Sequence, residues 1–226
     1  MDKLNFLLFG VYPYIATTIL IVGSWARFDL SQYTWKTQSS QMLSPGKMRV
    51  ASNLFHIGVM FIFAGHLVGL LTPHWLYEHL ISSGNKQLLA MVSGGFFGFL
   101  ALIGLSMLTW RRLTDARVRR NSSVSDILVL IVLLVQLVLG LATIVTSTQH
   151  LDGATMMLLG AWAQDIATFR PYAAVESIAE TGLIYKTHIL LGLTLFVLFP
   201  FTRLVHMLSA PIWYLGRRYQ IVRQRG

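Results

Sequence analysis

The sequence predicts an all-α integral membrane protein, a single domain over residues 1–226 built as a bundle of five transmembrane helices, N-terminus outside and C-terminus cytoplasmic. Three observations carry this. First, 54% of the 226 residues are hydrophobic and only 12% charged, and the mean hydropathy is +0.60, a balance outside that of ordinary soluble domains. Second, a helix needs about 20 apolar residues to cross a bilayer, and runs near 4–25, 52–71, 87–110, 127–146 and 183–204 approach or exceed this. They are continuous, which is the pattern of helices and not the alternation of barrel strands. Third, fourteen of the eighteen Lys and Arg residues fall in connections on one side. These are Arg27, Lys36, Lys47 and Arg49; Arg111, Arg112, Arg117, Arg119 and Arg120; and Arg203, Arg217, Arg218, Arg223 and Arg225. Positively charged connections stay in the cytoplasm.

The elements follow in order. Span one contains Pro13, which leaves a carbonyl without its helical donor, to be taken up by a neighbouring helix or by water. It begins after Asp2-Lys3 with no basic leader and no small-residue cleavage site after it, and reads as a retained anchor. The inner connection that follows, with Ser44-Pro45-Gly46, is too polar to insert and is available to a cytoplasmic partner. Span two closes at Thr72-Pro73-His74-Trp75, proline with interfacial aromatics. Span three carries Gly94, Gly95, Gly98 and Gly104, which let a helix or a flat cofactor approach its backbone, and ends at Trp110-Arg111-Arg112. Span four follows Asn121-Ser122-Ser123, with Ser125 or Asp126 as N-cap. In the long outer connection, 156–169 reads as a short interfacial helix, because its length and Asp165 argue against a sixth crossing. Residues 207–226 form a cytoplasmic tail. An odd number of spans and no internal repeat argue against a transporter of two inverted halves.

The net charge of +9 is distributed by membrane side, not along one recognition helix, so no nucleic-acid partner is expected. The chain has no cysteine. Disulfides, iron–sulfur clusters and covalently attached haem are therefore impossible within it.

Four histidines stand out, because an ionisable side chain within a membrane helix is costly and needs a named partner. His56 and His66 lie in span two, about 15 Å apart at the helical rise, and His188 and His206 bracket span five, about 27 Å apart by the same rise. The two spans run in opposite directions. Antiparallel packing therefore pairs His56 with His206 near the inner surface and His66 with His188 near the outer. Eighteen residues are five turns, so His188 and His206 face the same way, whereas His56 and His66 differ by about 80° around their helix. Two imidazoles at each of two depths fit two b-type haems, with metal centres separated by on the order of 20 Å on helix rise alone. Two strong axial ligands leave no place for substrate and favour electron transfer. Zinc or di-iron sites would need more ligands converging at one depth.

Gly58, Gly65, Gly69 and Gly192 beside these histidines serve either a macrocycle or helix packing, with equal weight. Arg111, Arg112 and Arg203 stand where propionates of an inner haem would emerge, although membrane topology explains them as well. His74, His79 and His150 read as interfacial or loop residues. Lys86, a lone outer cation at the start of span three, either reaches headgroups or hydrogen-bonds a quinone oxygen.

The chain resembles the gamma subunit of respiratory nitrate reductase, a di-haem cytochrome b membrane anchor. The residues that carry the likeness include Tyr12-Pro13-Tyr14, Gly23-Ser24-Trp25, Gln32-Tyr33-Thr34-Trp35, Ser39-Ser40-Gln41-Met42-Leu43, Ser52-Asn53-Leu54-Phe55-His56-Ile57-Gly58, Gly65-His66, Gln149-His150-Leu151-Asp152-Gly153, Phe199-Pro200-Phe201-Thr202-Arg203-Leu204-Val205-His206 and Arg218-Tyr219-Gln220. The resemblance implies a protein of the bacterial cytoplasmic (inner) membrane that oxidises menaquinol or ubiquinol on the outer side. It implies axial ligation by His56 with His206 and His66 with His188, with Lys86 at the quinol pocket. Electrons would then pass to an iron–sulfur beta subunit and a molybdenum-containing alpha subunit in the cytoplasm. Most of span three and residues 173–182 match only loosely. Two other readings are the b-type anchor of a formate dehydrogenase, hydrogenase or ferric reductase, and a non-redox anchor or channel whose histidines hydrogen-bond between helices.

Overall fold

Five helices in the computed structural model are long and apolar enough to cross a membrane. The structure describes residues 3–35, 40, 48–209 and 216. Lys36, Ser44-Pro45-Gly46, Lys47, Arg217, Arg218, Arg223, Arg225 and most of the expected 207–226 tail lie outside the described residues. Every regular element among the described residues is helical.

Helix α1 runs over Lys3–Leu30 with a π-turn at Leu7–Val11. Pro13 lacks an N–H, so the Phe9 carbonyl loses its α-helical donor, and the indole N–H of Trp162 donates to it at 3.0 Å. A neighbouring helix thus takes up the group that hydrocarbon could not solvate. Helix α2 spans Met48–Leu71, and α3, at 32 residues over Ser83–Thr114, extends beyond its apolar run through polar ends. The Ser82 hydroxyl caps α3 by accepting the Asn85 N–H at 3.3 Å.

Helix α4, Val124–Ser147, is capped by Ser123 and not by the expected Ser125 or Asp126. The Asp126 N–H donates to the Ser123 hydroxyl at 3.2 Å and the Ser123 N–H donates to the Asp126 carboxylate at 3.1 Å. This reciprocal pair satisfies two end groups at once, which a cap two or three residues later would not.

Two shorter helices, α5 at Ala154–Ala167 and α6 at Pro171–Ala179, close one end of the bundle, here called the capped end. The first corresponds to the expected interfacial helix, but it is packed into the protein. Trp162 is buried with Phe9 of α1 and with Ala174, Val175 and Ile178 of α6. Helix α5 ends in a left-handed turn at Phe169, φ 59°, whose ring stacks on Tyr14 at 5.6 Å. The Arg170 N–H closes that turn on the Asp165 carbonyl at 2.8 Å, a C-terminal motif in which glycine is the usual residue.

Helix α7 covers Leu183–Leu198 and tightens into a 3₁₀ turn, Phe199–Phe201. The expected continuous span to 204 is corrected here. Pro200 cannot donate a helical hydrogen bond, Thr202 is extended (φ −121°, ψ −178°), and the chain re-coils as a second 3₁₀ stretch, Arg203–Ser209. The Arg27 guanidinium of α1 caps the break, donating to the Pro200 and Thr202 carbonyls at 2.7 and 2.8 Å.

Around the bundle α1 packs on α7, α7 on α4, α4 on α3 and α3 on α2, while α5 bridges to α2 and α6 to the start of α1. The α2–α3 seam is the most intimate. A Cβ at Gly58 would stand 2.6 Å from the Phe97 carbonyl oxygen, and one at Gly104 would stand 2.6 Å from that of Ala51. Of the two roles open to Gly58, the structure assigns it to helix packing. At the opposite end, here called the arginine end, the buried Asp126 carboxylate lies 3.7 Å from Arg112 and 3.9 Å from Arg203, joining α3, α4 and the segment after α7.

Gly104→Val is expected to force α2 and α3 apart and to lower stability by about 1–3 kcal/mol through overpacking. Gly94→Ala, whose new Cβ would meet Ile144 at an ordinary 3.7 Å, is expected to leave stability unchanged or improved. Thermal unfolding of the two variants in detergent checks the difference.

Candidate functional site

Two histidine pairs face one another between α2 and the α7 side of the bundle. His66 of α2 and His188 of α7 have ring centres 6.2 Å apart at the capped end, with planes inclined by 38°. His56 of α2 and His206, beyond the Thr202 break, are 6.4 Å apart at the arginine end, with planes inclined by 72°. The juxtaposition is the one that antiparallel spans predict. The route is not: because the helix ends before Thr202, His188 and His206 are not five turns apart on one cylinder, and the helix rise of about 27 Å does not apply between them.

Three of the four rings are anchored alike. His56 Nδ1 lies 2.7 Å from the Ser52 carbonyl oxygen, His66 Nδ1 2.8 Å from that of Ile62, and His206 Nδ1 2.5 Å from that of Arg203. A carbonyl only accepts, so Nδ1 carries the proton in each case and Nε2 keeps the lone pair. Burial also lowers the pKa of His206 from its ordinary value, favouring the neutral, ligating form. His188 differs. Its Nδ1 is buried without a hydrogen-bond partner, and its ring packs edgewise against α4, where a Cβ on Gly140 would touch Cε1 at 3.0 Å.

The separations within the pairs bear on what they can hold. Two imidazoles hydrogen-bonded nitrogen to nitrogen at about 2.9 Å would have centres roughly 5 Å apart. Two imidazoles bound in line to one metal through bonds of about 2.0–2.1 Å would have centres roughly 6.3 Å apart. The observed 6.2 and 6.4 Å match the second arrangement. Among the described residues no three His, Cys, Asp or Glu side chains converge on one metal position. A donor set of two imidazoles suits a metal whose other ligands come from a macrocycle, as in haem. Clearance beside His66 agrees, since nothing stands within 4 Å of a Cβ placed on Gly65. At Gly69 the nearest atom to such a Cβ is the methyl of Met156, at 3.9 Å.

The other expected residues are placed as follows. Arg111 donates to the Ser40 hydroxyl and carbonyl, both at 2.8 Å. Arg112 donates to the Ser122 hydroxyl at 2.7 Å and pairs with Asp126. Arg203 also pairs with Asp126, and its backbone carries the carbonyl that anchors His206. Lys86, in the first turn of α3 at the capped end, lays Nζ 3.6 Å from the centre of the Tyr77 ring, a cation–π contact. His74 and His79 lie near Glu78, with His74 Nδ1 at 2.9 Å from its carboxylate. His150 lies in an exposed turn, where its carbonyl accepts the Gln87 amide at 2.6 Å.

Sequence reasoning passed over Gln136 and Tyr77. Gln136 sits between the apolar stretches Ile127–Val135 and Leu137–Leu141, and a lone amide at that depth was the available signal. Tyr77 carries no such signal, because interfacial tyrosines are ordinary.

Residues 5–225 match the family described as nitrate reductase gamma subunit. The chain is 52% identical to the respiratory nitrate reductase 2 gamma chain of Escherichia coli (strain K12), covering 100% of this chain and 99% of that one. It is 49% identical to the respiratory nitrate reductase 1 gamma chain of the same organism, with complete coverage of both. It is 39% identical to the nitrate reductase gamma chain of Bacillus subtilis (strain 168), covering 97% and 98%.

Proposed function

This chain belongs to the nitrate reductase gamma subunit family, and we propose that it is the quinol-oxidising, di-haem membrane subunit of a respiratory nitrate reductase. The observation that carries the reading is the pair of imidazole couples at metal-bridging separations of 6.2 and 6.4 Å. His66 with His188 would hold one haem and His56 with His206 the other. Bound there, the two haems supply one-electron transfer between the ends of the bundle.

The remaining roles fall to the chain's own side chains. The backbone carbonyls at Ser52, Ile62 and Arg203 hold the proton on Nδ1 and so keep Nε2 available. Lys86 supplies a charged donor at the capped end, the end that also holds the first pair, where it would orient and polarise a quinol oxygen. Arg111, Arg112, Arg117, Arg119, Arg120 and Arg203 at the opposite end set it in the cytoplasm, so quinol protons leave outwards while electrons travel inwards. That travel opposes an inside-negative potential and costs about 2.3 kcal/mol per 100 mV, so the acceptor must be distinctly more oxidising than the quinol. A cysteine-free chain cannot contain the next iron–sulfur relay. The next acceptor therefore lies on a partner, and the family resemblance makes that partner an iron–sulfur beta subunit followed by a molybdenum-containing alpha subunit, docked at the arginine end in the bacterial cytoplasmic membrane.

A non-redox anchor with hydrogen-bonded histidines is disfavoured by rings about 1 Å too far apart for a nitrogen-to-nitrogen bond. The anchor of a formate dehydrogenase or hydrogenase is disfavoured because the family and the relatives matched are nitrate reductase gamma chains.

A reduced-minus-oxidised optical spectrum of the purified complex is expected to show b-type bands titrating as two components; their absence would sink the proposal. His66→Ala or His188→Ala is expected to abolish quinol oxidation with loss of one haem, while the haem at His56 and His206 stays. Two haems surviving in either variant would refute the pairing. Lys86→Ala removes a charge-assisted hydrogen bond of about 1.5–3 kcal/mol, which corresponds to a roughly 10- to 150-fold loss in kcat/KM for quinol. Both haems should persist, and unchanged kinetics would remove Lys86 from the site.

A further inference from the structure

Four imidazoles share one task on the reading above, but they are not equally held. His56, His66 and His206 each place Nδ1 against a backbone carbonyl three or four residues earlier. The His188 Nδ1 is buried with no partner. Directly across the α4–α7 seam, the Gln136 amide nitrogen donates to the His188 backbone carbonyl at 3.1 Å and lies 3.5 Å from its Nε2. The other half of the same amide, Oε1, is also buried without a partner. A Cβ on Gly192 would come within 3.1 Å of the Gln136 amide nitrogen, so a larger residue there would crowd the amide, and Gly192 serves this seam.

One site therefore contains a ring nitrogen and an amide oxygen on adjacent side chains, both without partners; with Nε2 reserved for the metal, Nδ1 carries the proton and is a donor. In an apolar interior each such orphan is costly, and a rotation of the ring against the anchored amide would pair the two.

We propose that Gln136 is the positioning residue of His188, its Oε1 accepting the Nδ1 proton and so replacing, from a neighbouring helix, the carbonyl that each of the other three histidines takes from its own. The inference rests on the reading that His66 and His188 would hold one haem between them. Its chemical consequence is specific. An acceptor on Nδ1–H raises the basicity of the ligating nitrogen and fixes the ring's rotation, which favours the oxidised metal at that position alone. Gln136 faces His188 across the α4–α7 seam, so its influence is directed at one of the two redox centres.

The test is a potentiometric titration of the intact complex, followed by optical and electron paramagnetic resonance spectra, with Gln136→Leu and Gln136→Glu beside the wild type. Gln136→Leu keeps the span apolar at similar side-chain volume but removes the acceptor. It is expected to move the midpoint of the His66/His188 haem to a more positive potential and to shift that haem's low-spin signal, leaving the His56/His206 haem in place. Gln136→Glu restores a carboxyl oxygen and is expected to return the midpoint to the wild-type value or below it. Loss of the His66/His188 haem in the leucine variant with retention in the glutamate variant is the same result in stronger form. Unchanged midpoints in Gln136→Leu, equal shifts of both haems, or loss of haem in both variants overturns the assignment. The parent reading fails separately, if His188→Ala retains two haems.

Discussion

In hydrocarbon a polar group has no water to turn to, and most of what is distinctive in this bundle is the protein's answer to that constraint. The Phe9 carbonyl, freed by Pro13, is met by the indole of Trp162. The Asp126 carboxylate is met by two guanidiniums and by the N–H of Ser123. Three histidines spend their Nδ1 protons on carbonyls of their own helical segments. Each of these contacts also joins or orients a helix, so satisfying polar groups and placing the histidines are the same act. The hydrophobic effect supplies little of this order, because lipid tails are as apolar as the leucines they touch.

The bundle's existence and the pairing of its histidines were legible from composition and spacing. Five continuous apolar runs admit little but helices, and antiparallel spans set the order of pairing, His56 with His206 and His66 with His188. Helix ends were less legible. Apolar runs stop where polar residues begin, but α3 continues through Ser83-Gly84-Asn85-Lys86 at one end and Arg111-Arg112-Leu113-Thr114 at the other, since a helix satisfies its own backbone in water as well as in lipid. The cap at Ser123 was missed because Ser125 and Asp126 offered equally good side chains. Only the reciprocal Ser123–Asp126 geometry separates them.

The glycines divide in a way that spacing could not show. Gly58 and Gly104 serve the α2–α3 seam, where a methyl group would collide with backbone, while Gly65, seven residues from Gly58 along the same helix, meets nothing within 4 Å. Periodicity accounts for part of this. Seven residues are nearly two turns, so Gly58 and Gly65 point the same way, and they differ because α3 packs closely at one level and not at the other. Which level is close depends on helix crossing, a tertiary property that no single stretch of sequence carries. The lone amide of Gln136 was visible but its role was not, since its meaning lies in His188, fifty-two residues away.

The Thr202 break shows how one change of backbone geometry sets a functional position. A straight α7 would carry residue 206 about 27 Å beyond residue 188, yet their partners on α2 lie ten residues apart, about 15 Å along the helix. A continuous helix on the α7 side would need strong tilt to meet both. Pro200 ends the α-helical ladder instead, and the chain turns at an extended Thr202 before coiling again under His206. Such a break inside a membrane protein exposes carbonyls that must find donors, and Arg27 provides them by donating to Pro200 and Thr202. The same guanidinium donates to the Thr34 hydroxyl and carbonyl at 3.3 and 2.9 Å, so it ties the end of α1 to the break. Read from sequence, Arg27 was one of fourteen charges that orient the chain in the membrane. In the structure it is also what allows the last crossing to stop where His206 can face His56.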